Sequence, residues 1–585
     1  MSRRFHEQQG STGVGWYDCE MPLIKRGVLF KVKQGHVYVA VILQQVFIYF
    51  PMLSPKYLPR RWGDDFVLFN TFDLNNSNEN IWPNSPEQFV DRIRSRRYLT
   101  IASRNIYEMF DRSQELTHLF FVILWLITCI IFCSIAIKLF QPTAALVSTL
   151  MFGSLPFRFD FFDSLQGVCY ILVILSFIIC FRAILSLLDN QNFFKHCLLS
   201  VSIVLLNYSS FLLYEVSILA TPILALWLLF RSKKMAQKQR IVSVLTFLLL
   251  TASSLIHIVI VSTVANPIWN RNPEAQLLPS QLPRQLIEYY FRGLRLFLEP
   301  AYDFVLFKDT SHQIKNILLR DSRIFVVFMV MMTYLLIVVF KTFTPPKISQ
   351  MDLKRSDTSP PISRVEIILV SMGIIASSAV GFITFEGQFP PRLGSIASIG
   401  IALLVGVYFE ELSKKKSNIF NLQKLALILI IAIYTLSSIN GIQSIAKVAR
   451  FDARIEQSLK RFLDSEDNVG LPIVINLPKP VCQGVNWWSK NPSIWEANSG
   501  QLNLAELLGL INGEQGDLAL KTYIPRVLEW EDPYFDFTQM SHSCKLQDAD
   551  NVDFRKSVKP QWDPDYPNST QIGFDSKLVA YRVLP

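Results

Sequence analysis

The residues best suited to chemistry are acids in three short polar stretches set between apolar runs. Asp64 and Asp65 stand in Trp62-Gly-Asp-Asp-Phe66, Asp160 and Asp163 in Arg158-Phe-Asp-Phe-Phe-Asp163, and Glu215 in Tyr214-Glu215. Carboxylates delivered to one cleft can hold a divalent cation or take the proton from an attacking hydroxyl. An anionic leaving group needs a fixed cation, and Arg392 in Phe389-Pro-Pro-Arg392 offers a guanidinium that can grip a phosphate by two parallel hydrogen bonds. Arg96, Arg97 and Arg292 are further cations of this kind. Each residue also has a plain structural reading. Asp64 and Asp65 could be solvated surface acids, Asp160 and Asp163 helix caps, Glu215 the partner of a nearby arginine, and Arg392 a snorkelling anchor.

Other chemistries lack their signatures. There is no Walker A loop, HExxH, CxxC pair, GxSxG, or GxGxxG after a strand, which argues against nucleotide chemistry. The seven histidines are not spaced as metal ligands on one helix. Trp487, Trp488 and Trp495 could stack on sugar faces, but they fit the core of a soluble domain better.

The elements that must position these residues are membrane spans. Half of the 585 residues are hydrophobic and 18% are charged, and the apolar ones fall into runs of about 17 to 25, enough to cross a hydrocarbon core. About eleven spans are expected. They cover 37–53, 116–140, 144–157, 165–187, 197–213, 216–230, 241–264, 324–340, 365–384, 393–408 and 422–439. The first is interrupted by Gln44 and Gln45, and the third is short, with Gly153 and Pro156 near its end.

Lys and Arg cluster between spans rather than along one soluble face, so the net charge of +10 reads as membrane orientation and not as nucleic-acid binding. Basic segments at Lys25–Lys33, Arg231–Arg240, Lys347–Arg364 and Lys414–Lys416 alternate with the acidic turns, which places the N-terminus and these segments in the cytoplasm. The long segment 54–115 is also basic but is assigned outside, since long loops translocate despite their charge. The polar opening, 1–15, has no signal-peptide pattern. Two outer stretches read as interfacial amphipathic helices: 86–112, and the region from Arg284 to Glu299, where Ile287, Tyr290, Phe291, Leu294, Phe297 and Leu298 share the bilayer side.

Three parts result: a cytoplasmic segment 1–35, a transmembrane domain 36–440, and an outer soluble domain 441–585 with strand-like runs at 472–477 and 578–583 and a helical run near 502–510, a small mixed α/β unit. Cys482 and Cys544 are its only cysteines and can pair in an oxidising compartment. Cys129, Cys133, Cys169, Cys180 and Cys197 lie in or beside apolar runs and read as inert.

Acids at Asp64-Asp65, at Asp160 or Asp163, and at Tyr214-Glu215, carried on this topology, resemble the GT-C superfamily of polytopic membrane glycosyltransferases, especially the bacterial GtrII-like lipid-linked sugar transferases. The resemblance covers about residues 36 to 440. It implies a polyprenyl-phosphate sugar donor, a lipid-linked glycan, lipid or protein acceptor, and a location in the bacterial plasma (inner) membrane. Asp64 or Asp65 would be the general base, with Asp160 or Asp163 as the second acid, Glu215 and the arginines binding substrate, and transfer inverting the anomeric centre. Residues 36 to 440 hold no strict DxD triplet, and any divalent metal, Mg or Mn, would fall on Asp64 and Asp160. Two other functions fit a chain of this kind. A transporter or flippase would need polar groups near mid-membrane and broken helices. A glycan polymerase or ligase would use the basic loop 266–323. A purely structural scaffold would tolerate loss of every outer acid.

Overall fold

The computed structural model describes residues 34–50, 52, 85–89, 97–110, 114–155, 167–189, 192–233, 235–262, 362–379, 394–414, 419–420, 422–439 and 442. It also describes scattered positions within 283–298 and 326–333, and the backbone of seven strands after residue 471. Eleven helices build the described bundle: α1 (Gln34–Tyr49), α2 (Arg97–Met109), α3 (Gln114–Leu139), α4 (Pro142–Ser154), α5 (Gly167–Asp189), α6 (Phe193–Leu213), α7 (Ala220–Ser232), α8 (Gln237–Ser262), α9 (Arg364–Ser377), α10 (Ser395–Lys414) and α11 (Leu422–Ile439). Among the described residues six of these, α3, α5, α6, α8, α10 and α11, are long and apolar enough to cross a membrane.

The outside of this bundle is apolar as well as its core. Leu116, Leu119, Ile123 and Ile127 form an exposed stripe on α3 at spacings of three and four, as do Leu198, Val201 and Leu205 on α6 and Ile241, Leu245 and Leu248 on α8. Thr128, Ser148, Thr149, Ser200, Asn207, Ser371 and Thr435 are buried. Water would not tolerate so much bare aliphatic surface, whereas lipid requires it. Three of these hydroxyls are satisfied within their own helices: Thr128, Thr149 and Thr435 each donate to the carbonyl four residues earlier at 2.8 Å. The chain is a helical, multi-pass membrane protein.

Close packing depends on small residues. In α4 eleven of thirteen residues are buried, and the helix lies against α1, α3 and α10. Ser148 Oγ donates to Ala402 O of α10 at 2.7 Å. At Gly400 α10 meets α9 so closely that an added Cβ would stand 2.5 Å from Ser371 O.

The helix ends sort into two sets. At one end Lys138 Nζ donates to Leu185 O at 2.6 Å, joining the ends of α3 and α5. Here too Arg231 Nε meets Glu366 Oε2 at 2.7 Å, and Arg364 pairs with Glu410 and Glu411, tying together α7, α9 and α10. This is the basic end. Exits of α1, α4, α6, α8, α9 and α11 and entries to α5, α7 and α10 lie at the other, the turn end.

Observed helix boundaries differ from the apolar runs for identifiable reasons. Asn192 Oδ1 accepts the Phe194 and Lys195 backbone N–H groups, so α6 starts at Phe193 rather than Cys197. Ser363 caps α9, accepting the Glu366 N–H at 3.3 Å, while its hydroxyl donates back to Glu366 Oε1. The run expected from Val216 begins instead with a single 3-10 turn, Glu215–Ser217, and α7 starts at Ala220. Of the span expected over 324–340, only four helical positions are described.

After residue 471 the strands are β1 (Pro472–Asn476), β2 (Cys482–Gln483), β3 (Ser543–Cys544), β4 (Asp553–Lys556), β5 (Gln561–Trp562), β6 (Thr570–Asp575) and β7 (Leu578–Arg582). One sheet has the order β4-β1-β7-β6-β5, and β2 pairs with β3. All pairings are antiparallel, and Cys482 is the direct partner of Cys544. The helical run near 502–510 lies outside the described residues.

Candidate functional site at the turn end

Two of the acidic stretches, those of Glu215 and Asp160–Asp163, adjoin described helix ends at the turn end. Tyr214 is extended and ends α6, donating its backbone N–H to Ser210 O, and the chain then makes the 3-10 turn headed by Glu215. The Tyr214 ring meets Tyr170, on the first turn of α5, edge-on at 4.8 Å. This contact brings the Glu215 turn beside the entry of α5, the helix reached directly from the Asp160–Asp163 stretch. Across the same corner lies α2. Its Ser103 Oγ is 3.3 Å from Cys169 Sγ of α5, and Tyr98, Leu99, Ile101 and Tyr107 are buried. The apolar face expected of an interfacial helix is therefore covered by the bundle, while Arg104 and Glu108 form an ion pair at 2.9 Å on its outer side.

The later outer stretch returns to this end as well. Tyr290 donates its hydroxyl to Ala376 O near the end of α9 at 3.0 Å, and Phe297 O accepts from Tyr434 of α11. Burial pushes the Tyr290 phenol above its usual range, which keeps it a donor. Ile287, Phe291 and Leu294 are exposed, as the amphipathic pattern predicts.

Beneath the exits of α1 and α4 lies a hydrogen-bond network that the sequence reading missed. Trp125 Nε1 of α3 donates to Gln45 Oε1 at 3.1 Å. Gln45 Nε2 donates to Gln44 Oε1 at 3.0 Å and to Gly153 O at 3.2 Å. Gln44 Nε2 donates to Leu150 O and to Thr435 Oγ1, both at 3.0 Å, and Ser438 Oγ donates to Ser154 O at 2.8 Å. Gln44 and Gln45 look like defects in an apolar run, yet they are 1% and 2% exposed. Polar side chains placed within a span were the available signal, because hydrocarbon forces such groups to find partners.

Of the sequence-predicted residues, Glu215 is placed by its backbone in the 3-10 turn, and Arg97 begins α2. Asp64, Asp65, Arg96, Asp160, Asp163, Arg292 and Arg392 lie outside the described residues. The metal expectation on Asp64 and Asp160 lies there too, and among the described residues no three His, Cys, Asp or Glu side chains gather as a metal site. α10 starts at Ser395, at the turn end, three residues after Arg392.

Comparison with known proteins finds no matching family model, no matching curated protein and no matching solved structure.

Proposed function

We propose that the chain is a GT-C-type inverting glycosyltransferase that works at the turn end of its helical bundle. The donor is a sugar on polyprenyl phosphate, and the acceptor is a hydroxyl of a lipid-linked glycan, a lipid or a protein. Asp64 or Asp65 takes the acceptor proton as the new glycosidic bond forms, with Asp160 or Asp163 and Glu215 completing the acidic cleft. Arg392, supported by Arg96, Arg97 and Arg292, holds the departing lipid phosphate. Mg or Mn bound by Asp64 and Asp160 would add positive charge near that phosphate. The proposal includes about eleven spans, a cytoplasmic segment 1–35, a membrane domain 36–440, an outer domain 441–585, and residence in a bacterial plasma membrane.

The observation that carries the reading is the Tyr170–Tyr214 contact, which draws the Glu215 turn to the helix entered from the Asp160–Asp163 stretch. Transfer from polyprenyl-phosphate sugar in membranes should be lost in Asp64→Asn or Asp65→Asn at normal abundance. Full transfer in both variants sinks the assignment.

One observation favours a second reading. α4 is short, buried and ends within the bundle, as the broken helices of transporters do. A flippase would move a fluorescent polyprenyl-linked lipid across sealed vesicles with no sugar transferred, and a glycosyltransferase would not.

A further inference from the structure

A helix that stops away from water leaves its last carbonyls without the solvent that normally satisfies them. α4 has thirteen residues, about 20 Å of helix, against a hydrocarbon core of roughly 30 Å. Near its end Phe152 stacks on Trp125 with ring centroids 5.5 Å apart. From Trp125, α3 runs nine residues further toward the turn end to Leu116, about 14 Å. α4, which runs two residues past Phe152 to Ser154, thus stops about two turns short of α3, at the level where α11 ends beside it.

Four of the five carbonyls from Leu150 to Ser154 are accounted for in turn. Leu150 O accepts from Gln44, Gly153 O from Gln45, Ser154 O from Ser438, and Met151 O from the Leu155 N–H. The orientation of the two amides is not free. An indole N–H can only donate, so Gln45 must turn its oxygen to Trp125 and its nitrogen to Gly153 and Gln44. Gln44 must then present its oxygen to Gln45 and its nitrogen to Leu150 and Thr435. Both hydrogens of each amide are used. Gly153 permits the approach, because an added Cβ would overlap the Gln45 amide nitrogen and stand 2.9 Å from Gln44 Oε1. The α4 terminus is therefore fixed in depth by α1, α3 and α11 together.

We propose that Gln44 and Gln45 are positioning residues that set the depth at which the chain leaves α4 toward Asp160 and Asp163. This rests on the reading of those acids as part of the transfer site. Aliphatic side chains at 44 and 45 would take from Gly153 O the donor it has in Gln45, from Leu150 O its second donor and from Trp125 Nε1 its acceptor, and the last turn would unwind or shift toward water. The acids beyond it would then be displaced, and a displacement of about 1 Å can lower turnover by roughly 100-fold.

The test uses the full-length chain in membranes. Gln45→Leu, and the milder Gln45→Asn, whose amide is one methylene too short to reach both partners, are compared with Arg364→Ala at the basic end. Donor KM and kcat are measured together with labelling of a Leu155→Cys reporter by a membrane-impermeant maleimide, read by peptide mass spectrometry. Leu155 is 1% exposed, so the reporter thiol should resist label when both glutamines are present. The expected result is a kcat fall of tenfold or more with KM unchanged in both Gln45 variants, a labelled reporter thiol in each, and neither effect in Arg364→Ala. An unchanged kcat with the thiol still protected overturns the inference, as does an equal fall in Arg364→Ala at matched abundance. If the parent shows no transfer, the glycosyltransferase reading fails, and labelling alone decides whether the glutamines hold the α4 terminus.

Discussion

Replacing Gly400 with alanine tests whether α9 and α10 are held by direct backbone approach. The new Cβ would lie 2.5 Å from Ser371 O and 2.7 Å from Ile375 Cγ1. Even a weak C–H···O contact spans about 3.3–3.6 Å, so α9 and α10 must separate by roughly 1 Å. The obstacle is a backbone carbonyl, which cannot rotate away. Overpacking of this kind costs about 1–3 kcal/mol, and alanine returns at most about 1 kcal/mol of helix propensity. A net loss of about 1–2 kcal/mol follows, a roughly five- to thirty-fold fall in the folded-to-unfolded ratio. Gly373 supplies the comparison, since a Cβ there meets the Ile223 Cγ2 methyl at 2.8 Å, a side-chain rather than a backbone atom, which moves only by rotation about the Ile223 Cα–Cβ bond. Gly373→Ala should cost less than Gly400→Ala. The assay is equilibrium unfolding of the purified protein in mixed micelles with rising SDS, followed by tryptophan fluorescence. If Gly400→Ala proves as stable as Gly373→Ala, the close approach of α9 to α10 is wrong.

Two further expectations concern the helical bundle and the strands that follow it. Glu366 accepts from Arg231 Nε at 2.7 Å and Trp227 Nε1 at 3.2 Å, so an Arg231→Ala/Glu366→Gln double-mutant cycle should show a coupling of about 1 kcal/mol. A coupling indistinguishable from zero would show that the pair contributes nothing between α7 and α9. Cys482 and Cys544 are direct partners across β2 and β3, and either antiparallel pair type has a Cα separation of about 4.5–5.5 Å, within the disulfide range. Alkylation of intact membranes should therefore label neither cysteine before reduction and both after it, and Cys482→Ser should free Cys544. Labelling of both without reductant would exclude the bond.

The apolar runs made the helices legible because lipid-facing and core-facing positions are both apolar over the length of a span. Their ends were less legible, because capping is decided by one side chain. Asn192 extends α6 by a turn, and Ser363 with Glu366 forms the capping box that starts α9, a pattern visible in Ser363-Arg-Val-Glu366. The acidic positions were picked out by residue type, but the placing of the Glu215 turn beside the entry of α5 depends on a contact between aromatic residues distant in sequence. Tyr170 and Tyr214 are unremarkable as letters, and only packing brings them together. Gln44 and Gln45 misled in the other direction: read as weakening a span, they are the groups through which α1 grips α4.

The grip on α4 also bears on how the protein is made. Gln44 and Thr435 are 391 positions apart, and Ser154 and Ser438 are 284 apart, yet both pairs close around one helix end. A ribosome delivers α4 early and α11 after every other described helix of the bundle, so a nascent chain must carry an unfinished centre through the insertion of the spans between them. Arrival of α11 completes that centre, and a chain cut short before Leu422 would leave the membrane holding a bundle that cannot close.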